Sequence, residues 1–174
     1  MERTLTGLAD RPLDAQLVIG DLVDQCLCDR ADISLMAGDH PDGLSGALSG
    51  APATAASIAG QLAAAAASTA ATALGGLLGS ASSATSRRIS GVGVMNAVGE
   101  LGTMLARTTL STSADLARAL ADFGLDARLA SEYSEALKNG KILIVVRART
   151  DKIAQCARTV MATRGVLTET SQAH

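Results

Sequence analysis

Chemistry in this chain would have to start from sulfur or imidazole, and both are scarce. Three cysteines, Cys26, Cys28 and Cys156, and two histidines, His40 and His174, are all that 174 residues supply. A zinc site needs four nitrogen or sulfur ligands, usually arriving as two close pairs. Cys26-x-Cys28 offers one pair and nothing matches it, so no metal is expected. An odd number of cysteines argues for reduced thiols rather than a disulfide framework. The opening MERTLTGLADRPLD places charges where an export signal needs an apolar run, so a cytoplasmic protein is expected.

The remaining searches for chemistry end the same way. Gly91-Val-Gly93 lacks the preceding strand and the third glycine of a dinucleotide fingerprint, and no Gly-Lys-Ser/Thr phosphate loop exists. His40-Pro41-Asp42 sits in a polar loop. Ser, Cys and His fall into no local triad motif. Asp122, Glu132 and Glu135 are read as solvated charges on helix faces. The expectation is a non-enzymatic protein with no catalytic residues and no cofactor.

Composition points to architecture instead. Alanine accounts for 34 residues and glycine for 17, while Phe123 and Tyr133 are the only aromatics, which excludes base-stacking platforms and aromatic cages. The net charge of −2 does not advertise a nucleic-acid surface. Its distribution is uneven. Residues 1 to 42 hold nine acids against three bases, residues 87 to 174 hold twelve bases against eight acids, and no charge lies between Asp42 and Arg87. Acidic and basic ends of one domain are expected to pair with each other.

The elements that would position these groups are legible at both ends. Arg3 to Ala9 reads as a strand, and Asp10-Arg11-Pro12 as a helix start with Asp10 as candidate cap. Leu13, Leu17, Leu22, Val23, Cys26 and Leu27 then recur near a helical period, and Ile33 to Ala37 forms a second strand. At the other end, Lys141 to Ala148 is the strongest strand in the sequence. A helix from Asp151 to about Arg164 follows, stopped by Gly165, and Val166 to Glu169 is the last strand. Ser113 begins a helix that ends at Gly124, and Asp126 caps another that ends at Gly140.

Two β-α-β units in one chain predict an α+β fold, a ferredoxin-like sandwich with a long Ala/Gly-rich helical hairpin inserted between strands 2 and 3. Residues 1–40 are the first half, 41–112 the insert, and 113–174 the connecting helices with the second half. In the insert, Ala55, Ala59, Ala63, Ala67, Ala71, Gly75 and Gly79 form one row at four-residue spacing, with Gly60 and Gly76 in the next. One helix from Pro52 to about Ser80, a turn over Ser82 to Gly93 and a returning helix from Val94 to Thr108 are expected. Such rows let helix backbones approach closely. These nine residues are therefore the candidate self-association site, and a homo-oligomer is the expected partner. The 44 uncharged residues are long enough to span a bilayer but rich in Ser and Thr, so insertion of the same hairpin into a membrane is the alternative. A small-ligand regulatory domain is a third reading, by fold analogy.

The strand Ile142 to Val146 is apolar at every position, so both faces of its sheet must be covered. Helices cover one. The insert, the helices before Gly140 or a second subunit must cover the other.

Gly124, Tyr133, Gly140 and the strand Ile142 to Val146 occur in the order glycine turn, helix with a tyrosine, glycine stop and apolar strand. The segment from Phe123 to Arg147 thereby resembles the C-terminal signature of bacterial general stress proteins of the heat-induced type, and the N-terminal strand, helix and Asp32-Ile-Ser-Leu35 resemble that family's opening. The resemblance implies a stress-associated protein, cytoplasmic or peripheral to the inner membrane, with a glycine zipper between its halves. This chain departs from the pattern in being richer in Ala, Ser and Thr through the insert.

Overall fold

The computed structural model describes residues 3–38 and 84–172. The first stretch forms β1 (Arg3–Ala9), α1 (Pro12–Asp24), a turn of 3-10 helix at Arg30–Asp32 and β2 (Ile33–Gly38). The second forms β3 (Ala84–Ile89), β4 (Gly93–Val98), α2 (Glu100–Arg107), α3 (Ser113–Asp122), α4 (Ala127–Lys138), β5 (Ile142–Ala148), α5 (Asp151–Thr163) and β6 (Leu167–Gln172). The expected row from Ala55 to Gly79, His40 and His174 lie outside the described residues.

Local signals explain most boundaries. Thr112 and Asp115 make a reciprocal capping box at the start of α3. The Asp126 carboxylate accepts from Arg128 N at α4, and the Thr150 hydroxyl accepts from Ile153 N at α5. Glycines at positive φ follow each of these helices, Gly124, Gly140 and Gly165. Asp10 does not cap α1: Arg11 holds the N-cap position without a side-chain capping bond, and Asp10 pairs with Lys141 Nζ at 2.9 Å.

The strands form one antiparallel sheet in the order β3-β4-β2-β5-β1-β6. The fold is α+β, and its strand order is not that of a four-stranded ferredoxin-like sheet. The difference comes from residues expected to be a turn and a returning helix. Residues 84–89 and 93–98 are instead a hairpin, and β4 adds to the edge of β2 with Leu35 opposite Val98 and Ala37 opposite Asn96. Gly91 and Gly93, at φ 78° and 107°, shape the turn between the two strands. Only Glu100 to Arg107 is helical in that stretch, and it starts at Gly99. There φ is 75°, and an added Cβ would lie 2.8 Å from Ser34 Oγ and 2.9 Å from Ile33 O, so glycine is required.

The apolar β5 supplies two cores through its alternating residues. Ile142, Ile144 and Val146 pack with Leu5, Ile33, Leu35 and the inner faces of α1 and α5. Leu143 and Val145 pack with Met36, Met95 and α2, α3 and α4. Both faces are covered, and the helices before Gly140 supply the second cover.

Candidate functional site

The α1–α5 seam collects the groups with the widest chemical range. Val18, Leu22, Ala154, Ala157 and Met161 fill its floor. Small alanines on α5 let the two helices lie close, and two links, one covalent and one ionic, then cross between residues far apart in sequence. Cys26, just past the end of α1, is disulfide-bonded to Cys156 on α5, 130 residues away, with Cα atoms 5.6 Å apart. Arg164 Nε donates to Asp21 Oδ2 at 2.7 Å, and Gln25 Nε2 donates to Asp21 Oδ1 at 3.1 Å. The expectation of three reduced thiols is therefore corrected. The odd count is a bonded pair plus Cys28, which is free and buried. Burial, and secondarily the Asp32 carboxylate, pushes the Cys28 thiol up from its ordinary value.

Between Asp21, Gln25, Thr159, Val160, Thr163 and Arg164 lies a cleft of about 270 Å3. Ligand sites more often span ~300–1,000 Å3 with an apolar lining. Here the strongest charges, Asp21 and Arg164, are spent on each other.

The outer side of α1 is apolar where it should be wet. Leu13 is 59% exposed, Leu17 one turn on is 41% exposed, and Leu27 beyond the helix end is 81% exposed. Among the described residues these are the large hydrophobics left in water.

Several other polar groups are committed to structure. Arg147 bridges to Glu100 at 2.8 Å and lies 5.3 Å from the centroid of the Phe123 ring. Ser34 Oγ accepts from Glu100 N at 3.0 Å, tying β2 to the start of α2. Thr6 Oγ1 and Tyr133 Oη share a buried bond of 2.6 Å. Arg87 Nη1 donates to Leu105 O at 2.9 Å and to Thr108 O at 2.5 Å, holding the end of α2.

Among the residues singled out in the sequence, Gly91 and Gly93 are hairpin residues, and Asp122, Glu132 and Glu135 are exposed on α3 and α4. Among the described residues, no three His, Cys, Asp or Glu gather as metal ligands, and no helix is long and apolar enough to cross a membrane. The acidic and basic ends meet as expected: Asp10–Lys141, Asp21–Arg164 and Asp32–Arg149 all join the first forty residues to the last forty. Cys26–Cys156 had no such signal, since a separation of 130 residues leaves no local pattern. Neither family models, curated proteins nor solved structures gave a match to this chain.

Proposed function

We propose that this chain is a non-enzymatic protein that assembles with further copies of itself, through the outer face of α1 and through the small-residue rows between Ala55 and Gly79. The observation that carries the reading is the line of exposed leucines, Leu13, Leu17 and Leu27. Burying a leucine side chain is worth roughly 1.5–3 kcal/mol, so two left in water on α1 and a third just past its end favour a partner surface. The rows at Ala55, Ala59, Ala63, Ala67, Ala71, Gly75 and Gly79 suit a second, closer helix contact.

On this reading the body that carries the contacts is a ferredoxin-like sandwich with additions. Strands β6-β1-β5-β2, backed by α1 and α5, are two interleaved β-α-β units. The β3–β4 hairpin and α2 to α4 are then the additions. The likeness of residues 123–147 to general stress proteins supports a role in a stress response.

Absolute mass by light scattering after size exclusion, without detergent, tests the reading. The expected result is a uniform multiple of the 17.5 kDa chain. Leu13→Gln with Leu17→Gln should lower that mass, and Gly75→Leu should do so independently by overpacking a close contact. A wild-type chain that runs as a monomer, or a particle unchanged by both variants, overturns the proposal.

A further inference from the structure

The three cysteine sulfurs of this chain are gathered at one end of α1. Cys26 bonds to Cys156 across the seam, and Cys28 lies two residues further on in the same buried cluster. The backbone between Cys26 and Cys28 bends at Leu27, whose φ of 55° is left-handed. Leu27 faces solvent and both its neighbours are buried. Cys28 N donates to Leu22 O at 3.1 Å, which closes the bend around the left-handed residue. Glycine normally takes that position, and a leucine there is sterically disfavoured. Two peptide units hold the Cα atoms of residues 26 and 28 within about 7 Å. A disulfide spans Cα atoms about 4.4–6.8 Å apart, and a bend at the residue between them draws the two cysteines together.

We propose that Cys26, Cys28 and Cys156 form a thiol–disulfide exchange site that switches α5 between a state clamped to α1 and a released state. The thiolate of Cys28 attacks Cys26 Sγ. A Cys26–Cys28 bond forms as the Cys26–Cys156 bond breaks, and the electron pair leaves on Cys156 Sγ, which takes up the proton that Cys28 gave up. One disulfide is present before and after, so no oxidant or reductant is consumed. What changes is the loop that the bond closes, from 130 residues apart to two. After exchange, Asp21–Arg164 is the side-chain bond that still spans the seam.

The resting state is the clamped one. Burial and the Asp32 carboxylate favour the protonated Cys28 thiol, so attack waits until this end of α1 opens to water with the bend at Leu27 retained. A strained cap at an exposed helix end is where such opening is cheapest.

Label transfer tests the proposal on the full chain. The oxidised protein is held in mildly alkaline buffer without added thiol, quenched in acid, blocked with a maleimide and digested with trypsin. Cys156 falls in the fragment Ile153–Arg158, whereas Cys26 and Cys28 share the fragment Thr4–Arg30, so the position of the label identifies the isomer. The label is expected to move with time from the second fragment to the first, at a rate independent of protein concentration. Cys28→Ser should reduce labelling of Cys156 by about tenfold. A label that stays on Cys28, that reaches Cys156 equally in Cys28→Ser, or that moves at a rate proportional to concentration overturns the proposal. A second variant guards against misfolding of the first. Cys156→Ala treated with glutathione disulfide should gain an internal Cys26–Cys28 bond, releasing two glutathiones, and a persistent mixed disulfide would show that the two sulfurs do not meet.

Discussion

α1 and α5 cross one face of the sheet on alanine, a disulfide and an ion pair, and they leave leucines in water. α2, α3 and α4 cross the other face with a capping box, a buried tyrosine bond and glycine stops. The two layers draw on alternate residues of the same strand, β5, so the apolar supply beneath them is similar. What differs is how the helices are fastened. In the α2–α4 layer, α3 and α4 each start on a short-range bond made as the helix forms, Thr112 with Asp115 and Asp126 with Arg128. The α1–α5 layer is secured by contacts between the two ends of the chain, which exist only once the whole sheet is assembled. A layer of the first kind holds itself in place, while one of the second kind can be released by breaking a few bonds and has a free outer face to offer.

The largest effect should come from removing the covalent fastening. A bond that closes a loop of this length stabilises by roughly 3–5 kcal/mol, chiefly by restricting the unfolded chain. Cys156→Ala is therefore expected to lower the urea midpoint of the oxidised protein by that equivalent, with a much smaller effect of added reductant on the variant than on the wild type. Hydrogen exchange sharpens the comparison. Amides of α1 and α5 should lose protection first, while those of α3 and α4 keep theirs. Equal loss in both layers would mean that they form one cooperative unit, and the contrast drawn above would fail.

Legibility in the sequence follows the distinction between local and long-range bonds rather than the division into layers. α3, α4 and α5 each carry a cap and a glycine stop, so their ends were readable from neighbouring residues, as was the need to cover both faces of Ile142 to Val146. The Asp10, Asp21 and Asp32 pairings were foreseeable only in bulk, as an acidic end facing a basic one. Cys26–Cys156 was invisible, since nothing near either cysteine specifies the other. The β3–β4 hairpin was misread for a different reason. Small residues at helical spacing continue from the preceding segment through Gly99 and Gly102, and that period outweighed the turn glycines Gly91 and Gly93. The deciding fact, an open edge on β2 that β4 completes, is tertiary. The exposure of Leu13 and Leu17 was equally hidden, because α1 has apolar residues on more than one side and the sequence does not say which side meets the sheet.

Gly99 joins the hairpin to the α2–α4 layer and so tests whether that layer depends on the sheet edge. Alanine there would hold a left-handed backbone conformation and press its Cβ against Ser34 Oγ and Ile33 O. A loss of about 1–3 kcal/mol is expected, read as a lower urea midpoint with the disulfide intact. Exchange should accelerate in α2 and β4 more than in α1. Acceleration in α1 alone would place the weak point on the wrong side of the sheet.

The smallest effect belongs to the capping box of α3. The Asp115 carboxylate accepts from Ser111 N at 3.1 Å, from the Thr112 hydroxyl at 3.0 Å and from Thr112 N at 2.9 Å, and these bonds lower its pKa from the ordinary 3.8. A carboxylate whose folded pKa is depressed adds stability that is complete above its unfolded value and drains away as the pH falls through the folded one. The contribution should therefore be whole at neutral pH and decline only below about pH 4. Asp115→Asn keeps an acceptor oxygen and removes the charge that favours a helix N-terminus. Its unfolding midpoint should sit slightly below wild type at neutral pH and converge with it in acid. A gap that stays constant with pH would assign the effect to lost hydrogen-bond geometry instead of charge. In either case the change should stay on the α2–α4 side and leave the rate of label transfer among Cys26, Cys28 and Cys156 untouched, because no bond of the capping box reaches the α1–α5 seam.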